Sequence, residues 1–584
     1  MPPRQKSQNL SVVLLAAACM FPISSSGATD YYIDSVDGND SNNGLSTNTP
    51  WASHSKAEST SLAAGDTIHF KRGSAFSGSI VISESGSPGN PIRLTAYGTG
   101  ELPKFTNPST GDESGNAIRV AGAYTIVENM HFHDTPGEYV SSSLIMTRLG
   151  ALRINRGADH CIIRSNVFTQ CGQGIMSAGQ HTLITKNYLD GPSYALWRTD
   201  TSSWGPMGIH LNIGNQEVSY NTIKNYGTTD SPWGSDGGAI EIDYSGWFLD
   251  PGPWPKTNIY IHHNYSEGNA GFIESSWDFD FLPYGEEVYD WRVSFNVCYD
   301  GQSWLFMLAP CTGVYFDNNT VARYNSFGRS QNWGARMDVQ GGSPVGVASG
   351  AHFRNNLFIY TGHDNPYQGN RSAGALKTGN WYMRIDDPGR VCTGDANQIG
   401  SGEPKLKDLI GGNYKLMPDS PLRGAATNLS AFYPNGVDFN GQPLPTNGNW
   451  DIGAMQYIVD DDADGMPDSW EFDHGLNIDT NDAACHSDND GVNNYSEYIA
   501  DTDPTNAASV LTIIDIDQTH CTLIRWKGGT MARQFLETKT DLDSTAVQWS
   551  AVFTNKPATP TTNDFVAPST TNKASIYRIR AERP

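Results

Sequence analysis

From about residue 117 one unit recurs along the chain: a short apolar strand, a second short strand, then an asparagine and a turn. The second strands read YTIVEN (to Asn129), CIIRSN (Asn166), TLITKN (Asn187), EVSYN (Asn221), IYIHHN (Asn264), RVSFN (Asn296), VYFDN (Asn318) and AHFRN (Asn355). The closest spacings are 21 residues, Asn166 to Asn187, and 22 residues, Asn296 to Asn318. A unit of two short strands cannot bury its inner face alone and is stable only when stacked on its neighbours. The period therefore predicts a β-solenoid, with insertions in the longer gaps. Asparagine tolerates the left-handed turn that such a unit needs between strands. Leucine-rich repeats share the period but require a leucine pattern that is missing here.

The rest of the composition agrees. Of 584 residues only 17% are charged, while Gly is 60 and Pro 32, which excludes a helical bundle, a coiled coil and a disordered chain. The length suits two to four domains. A formal charge of -24 argues against a nucleic-acid partner, which needs a basic face. At the start, Arg4 and Lys6 precede an apolar run from Leu10 to Ile23 and small residues up to Ala28, so residues 1–28 read as a secretion signal and a secreted protein is expected. No later apolar run is long enough to span a membrane, and a monomer is expected. Seven cysteines follow the signal. An odd number excludes complete pairing within one chain; Cys161–Cys171 and Cys298–Cys311 are candidate local pairs, and buried free thiols are the alternative.

Two segments, YYIDSVDGNDSNNGLSTNTPW (31–51) and AGDTIHFKRGSAFSGSIVISESGSPGNPIRLTAYGTGELP (64–103), resemble the opening of secreted right-handed parallel β-helix proteins. DIGAMQY (451–457) resembles their closing strand. The resemblance spans about residues 31–457 and implies an all-β fold, a right-handed parallel β-helix over 29–458. That fold carries hydrolases, lyases and epimerases of polysaccharides, and adhesins as well.

Beyond it, Asp460, Asp462, Asp464, Asp468, Glu471 and the turn glycine Gly465 match D-x-D-x-D-G-x5-E without a gap. Alternating carboxylates around a glycine turn are what a hard, oxygen-seeking Ca²⁺ requires. A second loop offers Asp488, Asp490, Asn494 and Glu497, with His486 in the first position, where a carboxylate belongs. The pair resembles the EF-hand-like calcium repeats of bacterial surface enzymes, so residues 459–507 are expected to bind structural Ca²⁺. Residues 508–584 alternate apolar and polar (LTIIDI, CTLIRW, SIYRIRA) and read as a small β-sandwich.

Candidate chemistry lies on the first strands of successive coils: ALRIN (151–155), GIHLN (208–212), GAIEID (238–243) and GFIESS (271–276). Alternation sends Ile209, Ile240 and Ile273 inward. His210, Glu241 and Glu274 then form one outward column, with Asn212, Asp243 and Ser276 beside it. Stacked neighbours are ~4.8 Å apart and i,i+2 neighbours ~6.6 Å. Carboxylates that close cannot all ionise, so one is expected to keep its proton as general acid while another acts as base or nucleophile, the division glycosidic cleavage needs. Glu241 and Glu274 are the expected catalytic pair, assisted by Asp243 and His210. Asn212, Arg153, Arg198, Trp204, Trp233, Trp247 and His263 are expected to bind substrate: tryptophan faces suit sugar rings, and arginine forks suit sulfate or carboxylate.

The pair Glu241-x-Asp243 is similar in kind to the carboxylates of iota-carrageenases, and the layout resembles β-helical endo-fucanases. This implies hydrolysis of internal bonds in an anionic, sulfated polysaccharide. Two alternatives stay open: a lyase of a uronate polymer, with Asn212, Glu241 and Asp243 holding Ca²⁺, and a non-catalytic sugar-binding solenoid.

Overall fold

The computed structural model describes residues 27–584 except 110–113, 141–145, 193–204, 232–233, 243–255, 275–287, 301–303, 309–310, 323–336, 340–350, 362–363, 366, 369–374, 435, 458, 518–521, 540–547, 558, 568–575 and 584. The expected secretion signal therefore falls outside the described residues, apart from its last two positions.

The chain winds as a parallel β-helix. Each coil places one strand in each of three parallel sheets. One coil, for example, runs Leu152–Ile154 in the first sheet, Ile162–Arg164 in the second and Val167–Thr169 in the third, before Gln173–Ser177 begins the next. Among the described residues the first sheet has ten strands, the second and third twelve each. Alternation decides which side chains enter the bore. Ile118, Leu152, Ile175, Ile209, Ile240 and Ile273 stand in one inward column, all essentially unexposed. At about 1.5–3 kcal/mol per buried aliphatic side chain, such columns are the main stabilising term. The early third-sheet column is aromatic, with Phe132 stacked on Phe168 at 4.6 Å between ring centroids. At the N-terminal end, Trp51 closes the first coil under a left-handed glycine; a Cβ on Gly44 would lie 2.3 Å from the indole.

The recurring asparagines are an internal ladder. Asn166, Asn187, Asn221, Asn264, Asn296, Asn319, Asn356 and Asn380 lie one above another at the corner between the second and third sheets. From Asn187 onward each Oδ1 accepts the backbone N–H and the side-chain Nδ2–H of the asparagine one coil earlier, both at 3.0 Å for Asn221 as acceptor, while Asn166 Oδ1 accepts the Met130 N–H. Each Nδ2 also donates to a buried carbonyl of the earlier coil, as from Asn221 to Ile184 at 2.9 Å. The ladder ends on Asp395, which accepts from Asn380. This corrects the expected role of the repeat. The left-handed residue is the one before the ladder asparagine (Ser165, Lys186, Tyr220, His263, Phe295, Asn318, Asn355 and Gly379), and Asn129 is left-handed just before Met130, which takes the ladder position of its coil. Two of the repeat's asparagines, Asn318 and Asn355, are thus turn residues, and the ladder position in their coils is the next residue, Asn319 or Asn356.

A second correction concerns residues 451–457, which form no strand. They dock on the outside of the coils: Gly453 N–H donates to the Asn355 carbonyl, and Asn318 Nδ2 to that of Asp451. Trp450, Ile452, Leu422, Tyr433 and Leu357 build a second apolar core there, outside the bore. Under this layer the buried Asp317 is held by Arg354 and by the Tyr433 hydroxyl. The local disulfides do not form either. Cys161, Cys171 and Cys298 are buried free thiols, and burial pushes those of Cys161 and Cys171 up to about 12.

Two short helices follow, Asp468–Asp473 and Asn494–Ala500. The remaining strands form two three-stranded antiparallel sheets around Trp526, Ile524 and Leu536: Thr512–Asp517, Thr522–Lys527 and Thr562–Ala567 in one, Ser550–Asn555, Arg533–Lys539 and Ile576–Glu582 in the other. Asp501, the left-handed cap of the second helix, accepts the N–H groups of Thr530 and Met531 and so ties this sandwich to the acidic segment.

Replacing Asn221 by Ala deprives both Asn187 donors of their acceptor in a buried site, at about 1–3 kcal/mol per orphaned group. Urea unfolding of Asn221→Ala should show a midpoint lowered accordingly with an unchanged slope; an unchanged midpoint would mean the ladder is not structural.

Candidate active site

The site builds on the first sheet. Met207–Leu211, Gly238–Ile242 and Gly271–Glu274 are consecutive parallel neighbours. Their register pairs His210 with Glu241 and Glu241 with Glu274. Because Ile209, Ile240 and Ile273 fill the bore, these three side chains leave the coil on its outer side. The same register runs back through Met176 and Arg153 to Arg119, and on to Met307 and Asp338. Two cations therefore lead into the imidazole and the two carboxylates. At ~4.8 Å per strand, Arg153 stands about 14 Å along the column from Glu241.

The column is not a solvated face. His210 and Glu241 are each only 1% exposed, while Glu274 is half-buried. Met176, Ala178 and Ile213 make a small apolar cluster on this side of the sheet, and Asn212 lies over it, its Nδ2 3.5 Å from the Met176 sulfur. An imidazole and a carboxylate kept from water, with a second carboxylate at the edge, is an arrangement that can hold and pass a proton.

Two contributors escaped the sequence reading. Arg119 obeys the same alternation one coil earlier, between the inward Ile118 and Val120 of AIRV. Lys256 opens the second-sheet strand Lys256–His262, where the coil leaves the site. It is 3% exposed, and its ammonium donates to the Asn212 carbonyl at 3.1 Å. A lysine beginning an otherwise apolar and aromatic strand, KTNIYIH, was the available signal.

Asp243, Arg198, Trp204, Trp233 and Trp247 lie outside the described residues. His263 is corrected: it belongs to the second sheet's corner and is only 6% exposed. Its backbone is left-handed, which breaks the alternation used to aim it. The ring stacks between Tyr220 and Phe295, and Nε2 meets the Val437 carbonyl at 3.1 Å. Trp291, in the tryptophan-rich stretch, is also core, with its indole N–H on the Lys256 carbonyl.

In the acidic segment, Asp460, Asp462 and Asp464 converge, and Asp464, Glu471 and Asp482 form an adjoining group; Asp488, Asp490 and Glu497 form a third. Glu471 is fully buried, yet neither of its carboxylate oxygens has a hydrogen-bond partner, and one oxygen of the buried Glu497 likewise has none. Burial and the surrounding aspartates push both glutamates up to about 7. Acceptor-only groups so placed fit a cation. Asp468 is not gathered with them; it opens the first helix and accepts the Asp461 N–H, while Asp482, unforeseen, stands against Glu471. His486 is turned to the Val492 carbonyl of its own loop.

No family model matches the chain, and no curated protein sequence does. Among solved structures it is similar to a GH136 lacto-N-biosidase from Eubacterium ramulus, with 14% identity and a TM-score of 0.38 over 63% of this chain and 66% of that one, just under two thirds of its length. It is similar to XylC in complex with xylose, with 11% identity and a TM-score of 0.44 over 73% of this chain and 98% of that one. An alginate lyase from Paenibacillus matches with 13% identity and a TM-score of 0.35 over 59% and 94%. Likenesses this distant say nothing of the reaction.

Burial, with the neighbouring His262 adding to it, holds His263 neutral down to about 3. The unfolded ring titrates at about 6.5. Between those values the unfolded chain binds the extra proton, so stability falls as pH drops from about 6.5 toward 3. In urea titrations across that range, His263→Gln should lose less stability on acidification than the wild type; equal slopes would refute it.

Proposed function

We propose that the protein is a secreted glycoside hydrolase that cleaves internal bonds of an anionic, sulfated polysaccharide, with sulfated fucan the first choice and carrageenan the second. The observation carrying this reading is the register His210–Glu241–Glu274 on consecutive coils, on the bore's outer side with His210 and Glu241 buried and Glu274 half-buried, preceded by Arg153 and Arg119. Glu241, between the other two, is the general acid. Glu274, one coil on at ~4.8 Å along the backbone, is the nucleophile or base. His210 orients Glu241 or binds a substrate hydroxyl, and the arginines receive sulfate groups. Glu241→Gln and Glu274→Gln should each lower turnover by roughly 10²–10⁴-fold with the fold intact by circular dichroism. If both keep more than about a tenth of wild-type kcat, the column is not catalytic. A panel of fucoidans, carrageenans, alginate, pectin and xylan, read by gel filtration, tests the substrate class.

The buried Lys256, whose amine reaches the Asn212 carbonyl beside the column, favours one second reading, a polysaccharide lyase with a lysine as base. Only a lyase would raise absorbance near 235 nm during digestion.

We propose in addition that the acidic loops hold structural Ca²⁺, the first through Asp460, Asp462, Asp464, Glu471 and Asp482, the second through Asp488, Asp490 and Glu497. An ion bound only by the folded state stabilises it by about 2.7 kcal/mol at a hundredfold excess over Kd. Calorimetry of the full chain should show a transition that chelator lowers and Ca²⁺ restores, and Asp482→Ala should weaken the restoration. A chelator-insensitive profile would sink the assignment.

A further inference from the structure

The sandwich differs in charge from the rest of the chain. Residues 508–584 hold nine Lys and Arg against seven Asp and Glu, within a protein of net charge -24. Its cations are not dispersed. Lys556, exposed next to the strand Ser550–Asn555, lies close to Arg533 on one side and to Lys186 of the β-helix on the other. Lys186 is exposed as well, and its ammonium donates to the Pro557 carbonyl at 2.8 Å, fastening sandwich to solenoid. Arg164, one coil before Lys186 on the second sheet, continues the line, though Glu128 engages it at 2.6 Å. Across the sandwich, beyond Arg533, Arg580 and Arg578 stand over Phe535 and Trp549 at 4.2 and 4.4 Å from the ring centroids, both paired with Glu537 and Arg580 also with Glu582.

The ends of this strip thus have carboxylate partners, Arg533 stands opposite Glu582 in the strand register, and the two lysines have no carboxylate partner among the described residues. Lys186 and Lys556 are both held below the usual lysine range, first by partial loss of water at the junction and then by neighbouring cations; no anion enters either balance. An acidic protein offers many carboxylates, and none of the described ones lies in ion-pair reach of these two. Guanidiniums over aromatic rings at one end and uncompensated ammoniums toward the other match repeated sulfate groups on a sugar chain, which alternate anionic and apolar surface.

We propose that the strip Arg164–Lys186–Lys556–Arg533–Arg580–Arg578 is a second binding site, one that holds a sulfated polysaccharide strand across the junction of the β-helix and the sandwich. It lies on the second sheet and the sandwich, apart from the Glu241 column on the first sheet, and stands without the catalytic assignment.

Native affinity electrophoresis of the full chain, in gels containing dextran sulfate or plain dextran, tests it. The wild type should be retarded by dextran sulfate alone. Lys186→Glu/Lys556→Glu should raise the Kd derived from retardation at least tenfold, and the milder Lys186→Gln/Lys556→Gln, which adds no new charge to the junction, should raise it in the same direction. Lys405→Gln, at an exposed lysine outside both the strip and the column that pairs with Asp419, should leave retardation unchanged. The proposal is overturned if both lysine pairs migrate as the wild type does, if Lys405→Gln weakens retardation as much as they do, or if oligo-dT retards the protein as strongly as dextran sulfate. A failure of the hydrolase reading would appear in the polymer panel and leave these mobilities untouched.

Discussion

One buried polar contact fixes the geometry of this protein: the hydrogen bond from each ladder asparagine to the next. Parallel strands leave little to choose between neighbouring registers when aliphatic columns alone hold them, because isoleucine slides past isoleucine at small cost. A primary amide does not. It needs both donors and its acceptor met in a site without water, and only one axial position of the next coil meets them. Seven such links join eight asparagines and set the height of every coil from residue 166 to residue 380.

The site inherits that height. His210, Glu241 and Glu274 are 31 and 33 positions apart in sequence, yet adjacent across two strand pairs. Their proximity costs the chain no separate device. The strands that carry them are positioned by the ladder on the far side of the bore, and the side chains emerge where isoleucine alternation directs them. What the fold adds is seclusion: a carboxylate and an imidazole leave the coil yet remain unexposed. Charges in such a place act on one another more strongly than they would in water.

Much of this was legible in the residues. The period pointed to a solenoid because stacking is the only way a twenty-residue, two-strand unit buries an inner face. The column followed from alternation within strands of four or five residues, and the paired register bears out that placement. What escaped was non-local. An asparagine in a turn looks like a turn former; its partner lies 21 to 43 residues away, and no local pattern announces it. His263 was misdirected because a left-handed residue interrupts alternation, and because a layer from residue 437, far along the chain, covers it. Lys256 belongs to one sheet and reaches toward another. Asp482 lies outside the spacing of the loop whose Glu471 it faces.

The ladder separates two things that most folds bind together. Between successive rungs the chain takes 21, 34, 43, 32, 23, 37 and 24 residues. The rungs do not register the difference, since only the two ends of each segment are pinned. A segment can therefore lengthen, shorten or be exchanged while the carboxylates keep the same neighbours. Descent with such a scaffold can revise the segments between rungs, one at a time, without reopening the question of how the strands they join are aligned.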